Sequence, residues 1–175
     1  AEQGTGVDTW LDQMLTGTES GTHILEIDYD VYAEGEAILG WLNCTANLTA
    51  TGSVDWKALA DDIIKDLHRT FRQRNADIAH LKLILSCMCG ENVLANVTNL
   101  NGEAKLRGSL TSEAKNAKLT INARVQMTPE QLREIVESTL RSVVPADIEV
   151  QMEDMESLSP GRPNPTHRYS EVVKA

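Results

Sequence analysis

Between residues 117 and 126 the chain alternates without a break, with Ala117, Leu119, Ile121, Ala123 and Val125 apolar and Lys118, Thr120, Asn122, Arg124 and Gln126 polar. A period of two puts all the apolar side chains on one face, so this segment predicts a strand with one face on a core and the other in water. Residues 78–87 read the same way, with Ala79, Leu81, Leu83 and Leu85 opposite Ile78, His80, Lys82, Ile84 and Ser86. Residues 92–100 and 103–110 flank Asn101-Gly102, and a pair of residues that both favour positive φ predicts a tight hairpin there. Nearer the start, Tyr29 and Val31 alternate with Asp28 and Asp30, Ala33-Glu34-Gly35-Glu36 interrupts, and an apolar run resumes at Ala37. This predicts an opening hairpin of a strand over 23–32 and an inner strand that passes Trp41 and delivers the chain to a helix. A final strand is expected over 148–155.

The period then changes to that of a helix. Trp56, Leu59, Ile63, Leu67 and Phe71 recur every three or four residues, Ala60 and Ile64 widen the stripe, and Lys57, Asp61, Asp62, Lys65, Arg69 and Arg72 fill the other side. Ser53 is the expected N-cap and Asn75 the expected end. Thr128-Pro129-Glu130-Gln131 opens a second helix, Thr128 as cap, Pro129 in the first turn and Gln131 completing a capping box, with Leu132, Ile135, Val136, Leu140 and Val143 as its buried stripe and Pro145 as its stop. A short amphipathic lead-in helix is expected around Val7, Trp10, Leu11 and Met14. Lined up, these elements repeat: hairpin, helix and strand end at Ala76-Asp77-Ile78, and again at Ala146-Asp147-Ile148. Two such ββαβ-like units side by side predict an α+β, two-layer sandwich of ferredoxin-like character, its mostly antiparallel sheet carrying helices on one face. Residues 1–21 read as linker and lead-in helix, 22–156 as the domain, and 157–175 as a Pro-rich tail.

With 175 residues and 41% hydrophobic content the chain can bury a substantial single core, and its one Phe, three Trp and three Tyr leave most packing to aliphatic side chains. A formal charge of -10, with 16 basic residues that form no run, predicts no nucleic-acid partner and leaves room for a cationic partner or a metal. No apolar run approaches the roughly 20 residues a membrane span needs, so no membrane partner is expected. Three cysteines cannot all pair within one chain, and Cys87 and Cys89 sit too close for an easy bridge across a regular strand. A reducing compartment, the cytoplasm, is therefore expected. Asn43-Cys44-Thr45, Asn47-Leu48-Thr49 and Asn96-Val97-Thr98 match the glycosylation pattern of secreted proteins, but such tripeptides arise by chance and no signal peptide is visible. A first residue of Ala1 is consistent with a piece of something longer.

Candidate chemistry is sparse. Cys87 and Cys89, two apart, are candidate ligands for a soft metal such as zinc if Cys44 or His80 supplies a third, while burial as small apolar side chains is the plainer reading and no stoichiometric zinc is expected. His80, Lys82 and Ser86 make a polar line on one strand face that can host a partner or be ordinary solvent face. Asp28, Asp30, Glu34 and Glu36 lack calcium-loop spacing and read as solvated charge. Trp41 is expected in the core, with covering a ligand as the alternative. No Ser/His/Asp spacing, paired carboxylates or Gly-x-x-x-x-Gly-Lys-Ser/Thr segment is present, so the chain reads as non-catalytic and without GTP hydrolysis of its own. In the tail, Pro160, Pro163 and Pro165 stiffen a segment in which Arg162, His167 and Arg168 bring positive charge to an acidic protein, a pattern suited to docking.

Tyr32-Ala33-Glu34-Gly35-Glu36-Ala37 running into Leu39-Gly40-Trp41-Leu42-Asn43, Ile78-Ala79-His80-Leu81-Lys82, and Gly161-Arg162-Pro163-Asn164-Pro165-Thr166-His167-Arg168 resemble the region that follows the GTPase domain in CobW-like P-loop GTPases, proteins linked to cobalamin and metal handling. The resemblance spans most of the chain, but not a nucleotide-binding half. It implies a C-terminal module, without a cofactor of its own, that couples the nucleotide state of an attached or missing GTPase domain to a client protein of cobalamin or metal metabolism. His80, Lys82, Arg162, His167 and Arg168 would be its docking residues. The family's metal-associated cysteine motif lies in the GTPase half, so the resemblance gives Cys87 and Cys89 no metal role. The alternative is a free-standing binding module, dimeric through its sheet, for a small molecule or soft metal.

Overall fold

Residues 4–17, 24 and 26–164 are described by the structure, a computed structural model. They fall into two compact units, 1–29 with 163–175 and 30–162. In the first, helix α1 (Val7–Thr16) forms where the amphipathic lead-in was expected, behind a left-handed Gly6 with φ 80°. The second carries helix α2 (Tyr29–Ala37) from Asp30 onward, strand β1 (Gly40–Ala50), helix α3 (Trp56–Gln73), strands β2 (Ile78–Ser86), β3 (Asn92–Val97), β4 (Lys105–Ser109) and β5 (Asn116–Val125), helix α4 (Pro129–Val143) and strand β6 (Ile148–Leu158).

The six strands form one antiparallel sheet in the order β4-β3-β2-β5-β1-β6. Because β1 and β2 both pair antiparallel with β5, they run parallel to one another with β5 between them; β5 and β6 stand in the same relation around β1. The chain is thus two interleaved split βαβ units, β1-α3-β2 and β5-α4-β6, with the β3-β4 hairpin extending the sheet beyond β2. The repeated Ala-Asp-Ile marks equivalent junctions: Gln126 N–H, just past β5, donates to Asp77 O at 2.8 Å, and Thr51 N–H, just past β1, donates to Asp147 O at 3.4 Å.

Both helices lie on one face, α3 over β2, β3 and β4, α4 over β1 and β6, and each against the other. The expected stripes are buried, Trp56, Leu59, Ala60, Ile63, Ile64, Leu67 and Phe71 on α3 and Leu132, Ile135, Val136 and Leu140 on α4, except that Val143 is only half-buried. They meet Leu42, Leu48, Leu81, Leu83, Leu85, Leu119, Ile121 and Val125 from the sheet. Polar groups caught in this layer are satisfied. Trp56 Nε1 donates to Ala114 O at 3.0 Å, Thr139 Oγ1 donates to Asp66 Oδ2 at 2.9 Å across the two helices, and His68 Nε2–H donates to Leu100 O at 2.8 Å. The α+β sandwich with helices on one face is therefore the observed architecture, and α4 begins with the full Thr128/Gln131 capping box.

Several local expectations are corrected. No opening hairpin forms among the described residues, because Tyr29–Ala37 is helix α2 and 26–28 are irregular. Both edges of β1 are already taken by β5 and β6, so a preceding strand could not form a hairpin with it, and Ala33, Glu34, Glu36 and Ala37 favour helix. The first repeat therefore lacks its leading strand. The N-cap of α3 is Asp55, whose carboxylate accepts Ala58 N–H at 2.9 Å, while Ser53 Oγ instead donates to Ser112 O. The same helix does stop near Asn75 as expected: its last residue is Gln73, Asn75 takes φ 52°, Ala76 N–H donates to Phe71 O and Asn75 N–H to Arg72 O, the paired bonds of a Schellman stop. Asn101-Gly102 is not a two-residue turn: β3 and β4 last pair at Asn96 and Lys105, and the longer loop lets Leu100 pack on the core and accept from His68. Gly108 at φ 82° passes so close to Asn92 O that a Cβ would collide with it. A register shift at Ala79 turns Ile78 to the core, against its expected face.

Candidate binding face

The face opposite the helices is assembled from residues that the pleat sends outward at matched registers. One row runs Lys105, Asn96, Lys82, Asn122, Asn43, Glu156 across all six strands; the next runs Arg107, Leu94, Ile84, Thr120, Thr45, Asp154. Helices α3 and α4 pack on the opposite face, and Ile84 and Leu94 are 39% and 41% exposed, so two aliphatic side chains sit in water amid polar ones. The charge is graded along the rows, from Lys105 and Lys82 on one side to Glu149, Glu153, Asp154 and Glu156 on β6. Glu153, at the register shift of β6, is drawn to Lys118 Nζ at 2.7 Å and to Asn47 Nδ2 at 2.8 Å, which holds its carboxyl below the usual 4.5.

His80 anchors the end of this face where β2 enters the sheet. Its Nε2 bonds Asn122 Oδ1, and Asn122 Nδ2 in turn bonds Asn43 Oδ1, a polar chain over three strands. An amide oxygen only accepts, so His80 carries its proton on Nε2 and keeps Nδ1 as an acceptor. Burial lowers its pKa below 6.5, the Asn122 bond opposes, and Lys82 and Arg124 lower it further. A folded-state pKa below the unfolded one gives a contribution to stability that is present above pH 6.5 and lost as pH falls through the folded pKa. NMR titration is expected to find His80 half-protonated below pH 6.5 in the folded chain, and lower still in Asn122→Ala; a midpoint above 6.5 would contradict this geometry.

Trp41 is not in the core. It lies half-buried on the open face, paired in register with Arg124, whose guanidinium stands 3.7 Å over the ring. The leading apolar run of β1 buries Gly40 and Leu42 and leaves the intervening Trp41 on the other side, so alternation overrides aromatic burial. Trp41 Nε1 and Glu36 Oε2 are buried without a hydrogen-bond partner among the described residues. Cys44, by contrast, is a core residue; burial foremost, then nearby Asp154 and Glu137, push its thiol up to about 11, and it is far from a metal-binding thiolate at neutral pH.

Of the residues singled out from the sequence, His80, Lys82 and Ser86 do share the open face. Arg162 bonds Asp30 Oδ1 through Nε at 2.6 Å, both side chains being exposed. His167 and Arg168 lie outside the described residues. Asn43, Asn122 and Arg124 were not anticipated as site residues, although the strict alternation of 116–125 already placed the last two on a water face. Cys87 and Cys89 are beyond the end of β2, in a turn where Cα atoms 5.2 Å apart allow the disulfide that a regular strand would not. Neither Cys44 nor His80 joins them; the third group is Glu91.

Comparison with known protein families, curated proteins and solved structures found no match to this chain. No helix among the described residues is long and apolar enough to cross a membrane.

Proposed function

We propose that unit 30–162 is a non-catalytic docking module whose open sheet face receives a P-loop GTPase domain. The observation that carries this reading is the one-sided sandwich. Helices α3 and α4 pack on one side of the six strands, and the other side presents exposed Ile84 and Leu94 and an Arg124–Trp41 stack. Aromatic and Arg anchors amid polar groups are the usual make-up of an interface centre. The choice of partner rests on the resemblance to CobW-like proteins, under which the module couples nucleotide state to a client of cobalamin or metal metabolism.

The test is an NMR titration of the labelled chain with a CobW-like P-loop domain from the same genome, loaded in turn with GDP and a non-hydrolysable GTP analogue. Shifts confined to the open-face residues of β1, β2 and β5, with affinity that differs between the nucleotides, are expected, and Arg124→Glu should weaken binding. Shifts confined to α3 and α4, or none, would overturn the reading.

A further inference from the structure

At the turn between β2 and β3, Cys87 Sγ, Cys89 Sγ and a Glu91 carboxylate oxygen all lie within 4.8 Å of one another. The turn is closed on itself: Cys87 N–H donates to Glu91 O at 3.1 Å, Gly90 N–H donates to Cys87 O at 3.1 Å, and Gly90 takes φ 88°. Glu91 is steadied from outside the turn, its Oε2 accepting Thr111 N–H at 2.6 Å. Cys87 is half-buried while Cys89 and Glu91 are exposed, and Met88 between the cysteines is fully exposed. The two sulfurs are joined as a disulfide.

We propose that this turn is a redox-gated zinc site, closed to metal as the disulfide and opened by reduction. Exchange with a thiol reductant breaks the S–S bond: two RSH become RSSR, and their two electrons and two protons leave Cys87 and Cys89 as thiols. An exposed disulfide is the kind that small thiols reach. Binding of Zn2+ then displaces both thiol protons and forms two Zn–S bonds, with the Glu91 carboxylate as third ligand and solvent in the fourth position. Two thiolates with one carboxylate suit a borderline-soft d10 ion with tetrahedral preference, and zinc accepts that set. Three anionic ligands more than neutralise the dication, in a short turn whose backbone bonds already hold them together. The Thr111 N–H, by holding the carboxylate in place, plays the part that a hydrogen-bonded outer group plays in established metal sites. Sequence spacing alone showed only two ligands. Glu91 was missed because it stands on the far side of the Gly90 turn, whose left-handed residue brings it back over the sulfurs.

The experiment titrates Zn2+ against the full chain in the presence of a chromophoric chelator, once reduced with a phosphine and once oxidised, with Co2+ as a spectroscopic probe. Expected are one tight equivalent in the reduced chain, near-ultraviolet thiolate-to-cobalt absorption, and no competition by the oxidised chain. Cys87→Ser/Cys89→Ser should abolish binding. Glu91→Gln, which keeps an oxygen for Thr111 N–H, should weaken it by at least the roughly 10–100-fold that loss of a group merely hydrogen-bonded to a ligand costs. Circular dichroism checks that the variants fold, since these side chains lie in a surface turn. No binding by the reduced chain would overturn the site; equal binding by the oxidised chain would overturn the gating; unchanged affinity in Glu91→Gln would overturn the ligand set.

Discussion

Trp56→Ala is expected to lower unfolding free energy by about 3–5 kcal/mol, the range for removing a large aromatic from a packed core. Trp56 is 0% exposed at the first position of α3, where the helix meets the loop that leads into β5. Two losses combine there. The indole leaves a void that α3 cannot close, because Asp55 caps the helix in place through Ala58 N–H and Leu59, Ala60 and Ile63 fix its next turns in the core. Ala114 O also loses the Nε1–H that it accepts at 3.0 Å. Trp56→Phe separates the two, since it keeps most of the apolar volume and drops only the hydrogen bond, and it should cost distinctly less. Urea unfolding of the three proteins decides; a Trp56→Ala loss below about 1 kcal/mol would show that this end of the core collapses freely.

Leu67→Ala is expected to cost about 2–5 kcal/mol. Leu67 is 0% exposed, in the interior of α3, which packs on β2, β3 and α4. The substitution isolates packing, because Ala is the better helix former and the backbone bonds of α3 are untouched. Any loss must therefore come from transfer and cavity terms. A change below about 0.5 kcal/mol in urea unfolding would mean that the sheet and helix close over the gap.

The proposed zinc site and the proposed docking face put different demands on the same fold. The turn at 87–91 lies outside the sheet, whereas Arg124, Asn122 and His80 stand on β5 and β2, whose other faces are core. Substitutions on the open face are thus a cleaner probe of docking than any change on α3 or α4. Arg124→Glu leaves Val125 and Ala123 in the core but removes the stack on Trp41, so urea unfolding of the variant is read beside its binding.

Periodicity along the chain was enough for α3, α4, β5 and most of β2, because each shows a complete stripe or alternation and burial of that stripe is the main free-energy term in forming the element. The Thr128-Pro129-Glu130-Gln131 start was legible because a capping box is satisfied within four residues. The repeated Ala-Asp-Ile was legible as a pattern, and its meaning as two interleaved βαβ units follows once β1 and β5 are known to be neighbours.

What the sequence by itself determined was therefore local: which segments carry one apolar face, where a helix starts, and that two similar units follow one another. The tertiary structure decided whatever depends on neighbours distant in the chain. Tyr29–Ala37 became helix because β5 and β6 occupy both edges of β1. Trp41 went to the open face because Leu42 on the same strand took the core side, and Arg124 was there to cover the ring. The Asn101-Gly102 segment gave up its tight turn to a loop that feeds Leu100 to the core and its carbonyl to His68. Cys87, Cys89 and Glu91 converge because the strand ends one residue early, at Ser86, and a turn replaces alternation there. At Trp41 the reason is plainest, because only one face of β1 meets the core and Leu42, 1% exposed, fills it.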